Sequence, residues 1–189
     1  EIDSACAKPE PKTLADEWVL GRLNQVAKEV TQHMNEYELS AATEVLRDFT
    51  WNELADWYLE IAKIEGEKSA ILNYILNTTL KLWHPFMPFV TEVIWQEVCG
   101  KEDLLMVAPW PKPLEIDTED SQDFLRIQQS VTKIRNLRAE NNIPPAKKLV
   151  GYIKSGPNTV IIEKNAHIIL SLARLDALST IDTIPENTV

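Results

Sequence analysis

The chain has 189 residues, 44% of them apolar, enough for one full core and a small appended subdomain. It carries 19 Lys and Arg against 29 Asp and Glu, and its only cysteines, Cys6 and Cys99, lack metal-type spacing, so a reducing intracellular compartment is the expectation. The five glycines form no phosphate-cradling loop, the three histidines (His33, His84, His167) sit in no zinc motif or nucleophile–base pair, and the apolar runs are too short and interrupted to span a bilayer.

The first twelve residues are polar and read as a flexible segment with no signal-peptide pattern. Thr13 can cap a first helix, with Asp16 completing an imperfect capping box. Val19, Leu23, Val26, Val30, Met34 and Tyr37 then recur at helical spacing. Ser40 can cap a second helix whose apolar stripe runs through Ala42, Val45, Phe49, Leu54, Tyr58 and Ile61 and stops at Gly66. A third helix is expected from about Glu67 to Trp83. His84-Pro85 ends it, because a residue before proline avoids the helical region. Pro88 opens a fourth helix, and Gly100 closes it.

Three prolines make Leu104–Pro113 an extended crossing segment, followed by an acidic loop from Glu115 to Asp123. Ser121 can cap a fifth helix with an apolar stripe of Phe124, Ile127, Val131, Ile134 and Leu137, ended by Asn142 and the pair Pro144-Pro145. Leu149–Ile153 reads as a strand, Ser155–Asn158 as a turn, Thr159–Ala173 as a helix and Ala177–Ile184 as a weaker strand. The expected fold is mainly α: an antiparallel helical bundle over residues 13–142 after a flexible segment 1–12, then a small β-α-β appendage over 143–189.

Charge is unevenly spread. Residues 1–125 hold 24 acids and 10 bases, whereas Arg126–Lys154 holds seven bases (Arg126, Lys133, Arg135, Arg138, Lys147, Lys148, Lys154) and one acid, Glu140. A basic island of this kind concentrates positive potential and suits a polyanion, though a solvated helix face gives the same pattern. The aromatic helix residues Trp57, Trp83 and Trp95 are expected in the core. Trp51 is equally suited to an exposed stacking role, since Arg47 precedes it by one turn. Trp110 is expected to pin the extended link to the bundle. Glu53, Asp56 and Glu60 do not form an acid–base pair in a pocket and read as solvated or helix-pairing groups. His84 reads as a capping or packing residue.

Four ordered motifs carry a family resemblance. Phe49–Glu60, FTWNELADWYLE, resembles the F-x-W-x-E-x-x-D-W-Y-L-E segment of the anticodon-binding domain of class Ia aminoacyl-tRNA synthetases. Leu82–Glu92, LWHPFMPFVTE, resembles their L-x-H-P-F-M-P-F-x-T-E segment, and Met106–Pro111 resembles the link that follows. Arg135–Glu140 followed by Asn142–Lys148 is similar to the valyl branch of that class. The resemblance spans about Thr13 to Ile184. It implies an excised tRNA-binding module of a cytoplasmic parent that charges tRNA with valine using ATP, with valine-specific tRNA and the parent's catalytic and editing domains as partners and no membrane.

Neither the H-I-G-H-type nor the K-M-S-K-S-type motif of the catalytic half occurs here, so no catalytic residue, metal or cofactor is assigned to this chain, and ATP belongs to the parent's catalytic part. Candidate tRNA contacts are Arg47, Trp51, Asn52, Glu53, Arg135, Asn136, Arg138, Lys147 and Lys148. Valine anticodons share a middle A and a third C. Asn and Gln suit adenine and carboxylates suit the cytosine amino group, which adds Asn24 and Gln25 to the candidates for base contact. Arg135 and Arg138 share a helix face and suit phosphate contact, or else brace the helix against acidic neighbours. The rival reading is a helical protein-interaction scaffold without nucleic acid, motivated by the net charge of −10.

Overall fold

The computed structural model describes residues 9–99, 103–112, 114, 121–144 and 146–182. The expectations for the segment before residue 9, for Gly100 and Pro113, for the acidic stretch 115–120, for Pro145 and for the strand end at 183–184 lie outside these residues. The chain forms two compact units, residues 1–118 and 119–189.

The first unit is helical. α1 (Leu14–Asn35) packs against α2 (Leu39–Asp48), a π-helical segment (Phe49–Tyr58) and α4 (Ser69–Trp83); α3 (Leu59–Glu65) continues the π segment, and α5 (Pro88–Cys99) packs on α4 and on a single 3₁₀ turn, Leu105–Val107. The core holds Trp18, Val19, Leu20, Leu23, Val26 and Val30 of α1 with Leu46, Phe49, Tyr58, Ile61, Ile75 and Leu82. α2 starts at Leu39, one residue before the expected Ser40 cap. Residues 33–38 close α1 tightly around Tyr37 (φ 61°), with the Glu38 N–H on the His33 carbonyl at 2.8 Å, so the next helix begins at once. α4 starts at Ser69 and not Glu67, because Gly66 and Glu67 both have positive φ (67° and 50°).

The Thr13 capping box forms, with Asp16 N–H on Thr13 Oγ1 at 3.4 Å and Thr13 N–H on Asp16 Oδ2 at 3.2 Å. Asp16 does more than cap. Its buried carboxylate also accepts from Lys68 Nζ at 2.8 Å and from the Tyr58 hydroxyl at 2.8 Å. Lys68 Nζ reaches Glu65 Oε2 at 2.7 Å and Thr13 Oγ1 at 3.0 Å, so one ammonium joins three chain segments. Burial pushes the Asp16 carboxyl up, but the bonds from Lys68, Tyr58 and the Lys12 N–H, with the Lys68 charge, outweigh it and hold the group below its usual range. Burial likewise opposes the charge on Lys68, and Asp16 and Glu65 overcome it and raise its pKa. Burial and the bond to Asp16 push Tyr58 upward.

The π segment departs from the α-helical stripe read in the sequence. Phe49 and Tyr58 are both fully buried, yet nine residues make about two and a half α-helical turns and would set them on opposite sides. Wider i→i+5 winding puts both on the inner side, and the Leu59 N–H accordingly donates to the Leu54 carbonyl five residues back.

The second unit contains α6 (Ser121–Glu140), β1 (Leu149–Lys154), α7 (Thr159–Lys164), α8 (Ala166–Leu172) and β2 (Leu175–Ile181). The strands pair in parallel, from Leu149 opposite Leu175 to Lys154 opposite Ile181. A Cβ at Gly151 would lie 2.8 Å from Leu175 Cδ1 and 3.0 Å from Leu178 Cδ1, so glycine permits the close approach. The expected single helix 159–173 is broken at Asn165, whose amide caps the Ile161 carbonyl at 2.9 Å.

α6 lies in the second compact unit, where its arginines hold carbonyls of the β-α-β piece. One sequence expectation is corrected here. Leu137 is not the last residue of the buried stripe. It is 45% exposed, while Arg138 is only 8% exposed. α6 ends in a Schellman turn around Asn142 (φ 51°), with Ile143 N–H on the Arg138 carbonyl at 2.9 Å and Asn142 N–H on the Ala139 carbonyl at 3.1 Å.

Candidate nucleic-acid interface

On the helical unit, the π segment turns Trp51 (58% exposed) and Asn52 to solvent, one turn after exposed Arg47. Arg47 Nη2 lies 3.0 Å from Asp48 Oδ1 in a pair exposed on both sides, which holds it loosely. These three groups supply a guanidinium, a stacking ring and an amide on one surface.

Glu53, the fourth candidate of this segment, is occupied. Arg22 grips it in a bidentate pair, Nε to Oε2 at 2.7 Å and Nη2 to Oε1 at 2.8 Å, tying α1 to the π segment. That bond, against burial and with the charges of Glu53 and Glu29, raises the Arg22 pKa. Asn24 is buried, its Nδ2 on the Leu114 carbonyl at 2.7 Å, and Gln25 bridges Arg22 and Glu29. For Glu53 and Asn24, residue type says nothing of a neighbour 31 or 90 positions away, whereas the partners of Gln25 lie within about one helical turn.

Trp83 and Trp95 are buried as expected, Trp83 Nε1 donating to Thr50 Oγ1 at 3.1 Å, and Trp57 is half-buried. His84 Nδ1 lies 2.9 Å from Thr91 Oγ1, and the Thr91 hydroxyl lies 2.8 Å from the Met87 carbonyl, so this histidine fastens the α4–α5 corner. Trp110 pins the link as expected, its Nε1 donating to Thr31 Oγ1 at 2.9 Å.

That pin creates a feature the sequence did not reveal. An open groove of about 640 Å³ lies between the last turns of α1 and the link, lined by Lys28, Thr31, Gln32, Asn35, Glu36 and the stretch Trp110–Lys112. Positions 28, 31, 32 and 35 share one helix face, which was legible, but the wall supplied from 79 residues later was not. Near the same helix end, His33, Glu36 and Glu38 cluster at the surface, with His33 Nδ1 2.7 Å from Glu38 Oε2.

In the second unit the basic island divides. Arg138 is turned inward, where its Nη1 donates to the Arg174 carbonyl at 3.2 Å and its Nη2 to the carbonyls of Pro144 at 3.1 Å and Lys147 at 2.6 Å. Arg135 Nε donates to the Leu172 carbonyl at 3.0 Å. Both guanidiniums donate to backbone carbonyls, Arg138 from a buried position and Arg135 from an exposed one. Asn136, Lys147 and Lys148 remain exposed, Lys148 Nζ lying 3.5 Å from Asp176 Oδ1. The helical unit thus offers a ring and an amide, and the second unit offers ammoniums.

A family model described as the anticodon-binding domain of tRNA ligase matches residues 16–153. The chain belongs to this family. It is 40% identical over 180 residues to a valine–tRNA ligase of Carboxydothermus hydrogenoformans, covering 88% of this chain and 20% of that protein. It is 39% identical over 155 residues to a valine–tRNA ligase of Geobacillus stearothermophilus (76% of this chain, 18% of that protein) and 38% identical over 160 residues to one of Bacillus subtilis (79% and 18%). The chain therefore spans about a fifth of the length of these relatives. No helix among the described residues is long and apolar enough to cross a membrane.

Proposed function

We propose that this anticodon-binding domain holds the anticodon stem-loop of valine-specific tRNA as one module of a longer, cytoplasmic valine–tRNA ligase. The observation that carries this is the family match over residues 16–153 together with 38–40% identity to valine–tRNA ligases. In this reading Trp51 and Asn52 face the loop bases and Arg47 a phosphate. Lys147 and Lys148 neutralise backbone phosphates, and exposed Asn136 of α6 is a further candidate contact. Phosphate contacts position the RNA, and base contacts specify it. Arg138, Arg135 and Glu53 serve by keeping the scaffold rigid.

Activation of valine with ATP belongs to the parent's catalytic part, and this chain's partners in the parent are its catalytic and editing domains. The purified chain alone is expected to give no valine-dependent ATP–pyrophosphate exchange; exchange by the chain would overturn that assignment.

A second reading, a helical scaffold for protein partners, draws on the exposed apolar face of α5, where Phe89, Val90, Val93, Ile94 and Val98 face solvent although a helix apolar all round is normally buried. Anisotropy of a labelled valine anticodon stem-loop separates the two. The tRNA reading requires binding that falls steeply with salt and weakens when the anticodon is exchanged. Absence of RNA binding at low salt refutes it.

A further inference from the structure

The helical unit is acidic, and its cations are largely taken up by neighbours. Arg22 pairs with Glu53, Arg47 with Asp48, Lys63 with Glu60, and Lys68 with Asp16 and Glu65, while Lys81 lies over the Trp95 ring. Among the described residues of this unit, Lys12, Lys28 and Lys112 stand outside any such pair. Two of these three line one groove, the groove walled by Trp110. Among the described residues its lining holds a single acid, Glu36, which already accepts from Gln32 Nε2 at 3.0 Å. The described lining is net positive within an acidic unit, which favours an anion there, and the indole adds a flat surface beside it.

We propose that this groove takes one unpaired nucleotide of an RNA strand, with its base stacked on Trp110 and its phosphate held by Lys28 and Lys112. The inference rests on the RNA-binding reading above. The ring is fixed in advance by its N–H bond to Thr31, so stacking on it costs little further ordering. Aromatic stacking accepts any base, and ammoniums tracking the backbone supply salt-dependent affinity. Asn35, exposed at the end of the same helix face, offers the amide that reads an adenine edge. A protein ligand fits less well, because Trp110 and Pro111 are the only large apolar groups among the described residues of the lining.

The test measures binding of the 189-residue chain to a hairpin carrying the valine anticodon loop, to the blunt duplex of its stem, and to AMP. Trp110→Ala is expected to weaken hairpin binding about ten-fold and leave duplex binding unchanged, while Trp110→Phe retains most of the affinity. Lys28→Gln with Lys112→Gln, which leaves the Trp110 pin intact, is expected to lower the salt slope by about 1. Normal hairpin binding by all these variants overturns the site and leaves the tRNA reading standing. Equal losses for Trp110→Phe and Trp110→Ala make the ring a structural pin and also overturn it. AMP binding as tightly as the hairpin assigns the groove to a free nucleotide instead of an RNA strand. No hairpin binding by the unsubstituted chain removes both readings together.

Discussion

Replacing Arg138 tests whether the centre of the basic island is an RNA contact or a brace. The guanidinium is buried and donates to three carbonyls, those of Arg174, Pro144 and Lys147, at 3.2, 3.1 and 2.6 Å. A hydrogen bond to a charged group contributes on the order of 1.5–3 kcal/mol, so three at face value would exceed 4 kcal/mol. Pro144 and Lys147 lie on exposed residues, and water can reach their carbonyls once the side chain is gone. Arg138→Ala is therefore expected to cost about 2–4 kcal/mol, a fall in Tm of roughly 4–16 °C for a chain of this size. Arg138→Lys keeps the charge but cannot span three acceptors, and should recover less than half of the loss. The assay is urea unfolding followed by far-UV ellipticity, beside anisotropy titrations of the stem-loop at several salt concentrations. Under conditions where the variant is folded, the slope of log affinity against log salt should match that of the unsubstituted chain. Unchanged stability with a slope reduced by about 1 would refute the brace and restore the phosphate contact.

Lys68→Met should cost about 3–5 kcal/mol, because it leaves the Asp16 and Glu65 carboxylates buried without their cation. The Asp16 pKa lies below its ordinary 3.8, so its contribution is present above about pH 4 and is lost as pH falls through the lower folded value. The Lys68 pKa lies above its ordinary 10.5, so its contribution is present below that pH and is lost as pH rises through the folded value. The gap in urea midpoint between the variant and the unsubstituted chain should accordingly narrow in acid; a gap independent of pH would count against the network. Trp51→Ala should change stability by no more than ~0.5 kcal/mol, since the ring is mostly exposed, yet weaken stem-loop binding about five-fold or more. Glu53→Gln should lower stability by about 1–2 kcal/mol through the lost bidentate pair, and leave the anticodon preference intact; a changed preference would mean that the carboxylate reads a base.

What the sequence made legible was local. The Thr13–Asp16 cap, the Gly66 stop and the β-α-β order follow from residues a few positions apart, whereas the π winding of 49–58 and the break at Asn165 do not follow from apolar periodicity. Asp16 shows the limit: its cap is readable three residues away, while its bonds to Tyr58 and Lys68 span 42 and 52 positions. Periodicity favoured Leu137 over Arg138 as the inner residue of α6, because it weighs apolar area and cannot see backbone carbonyls waiting for a donor from residues 144, 147 and 174. The same holds for the candidate site. Trp51, Asn52 and the lysines are candidates by type and stand exposed, whereas Glu53 and Asn24 share the type but are held by Arg22 and the Leu114 carbonyl.

The winding of residues 49–58 also bears on how long this helix needs to be. Seven residues complete about two α-helical turns, so an ordinary helix would carry the chain from Phe49 to an inward-facing position with two fewer residues than the nine used here. The two extra residues widen the outer arc of the helix, and Trp51 and Asn52 stand exposed on it. A deletion of two residues between Thr50 and Trp57 would thus be absorbed by rewinding on the inside, with Tyr58 still facing Asp16, while the outward display would be lost. The π winding thus joins an inward pair, Phe49 and Tyr58, to an outward pair, Trp51 and Asn52, on one short stretch of chain.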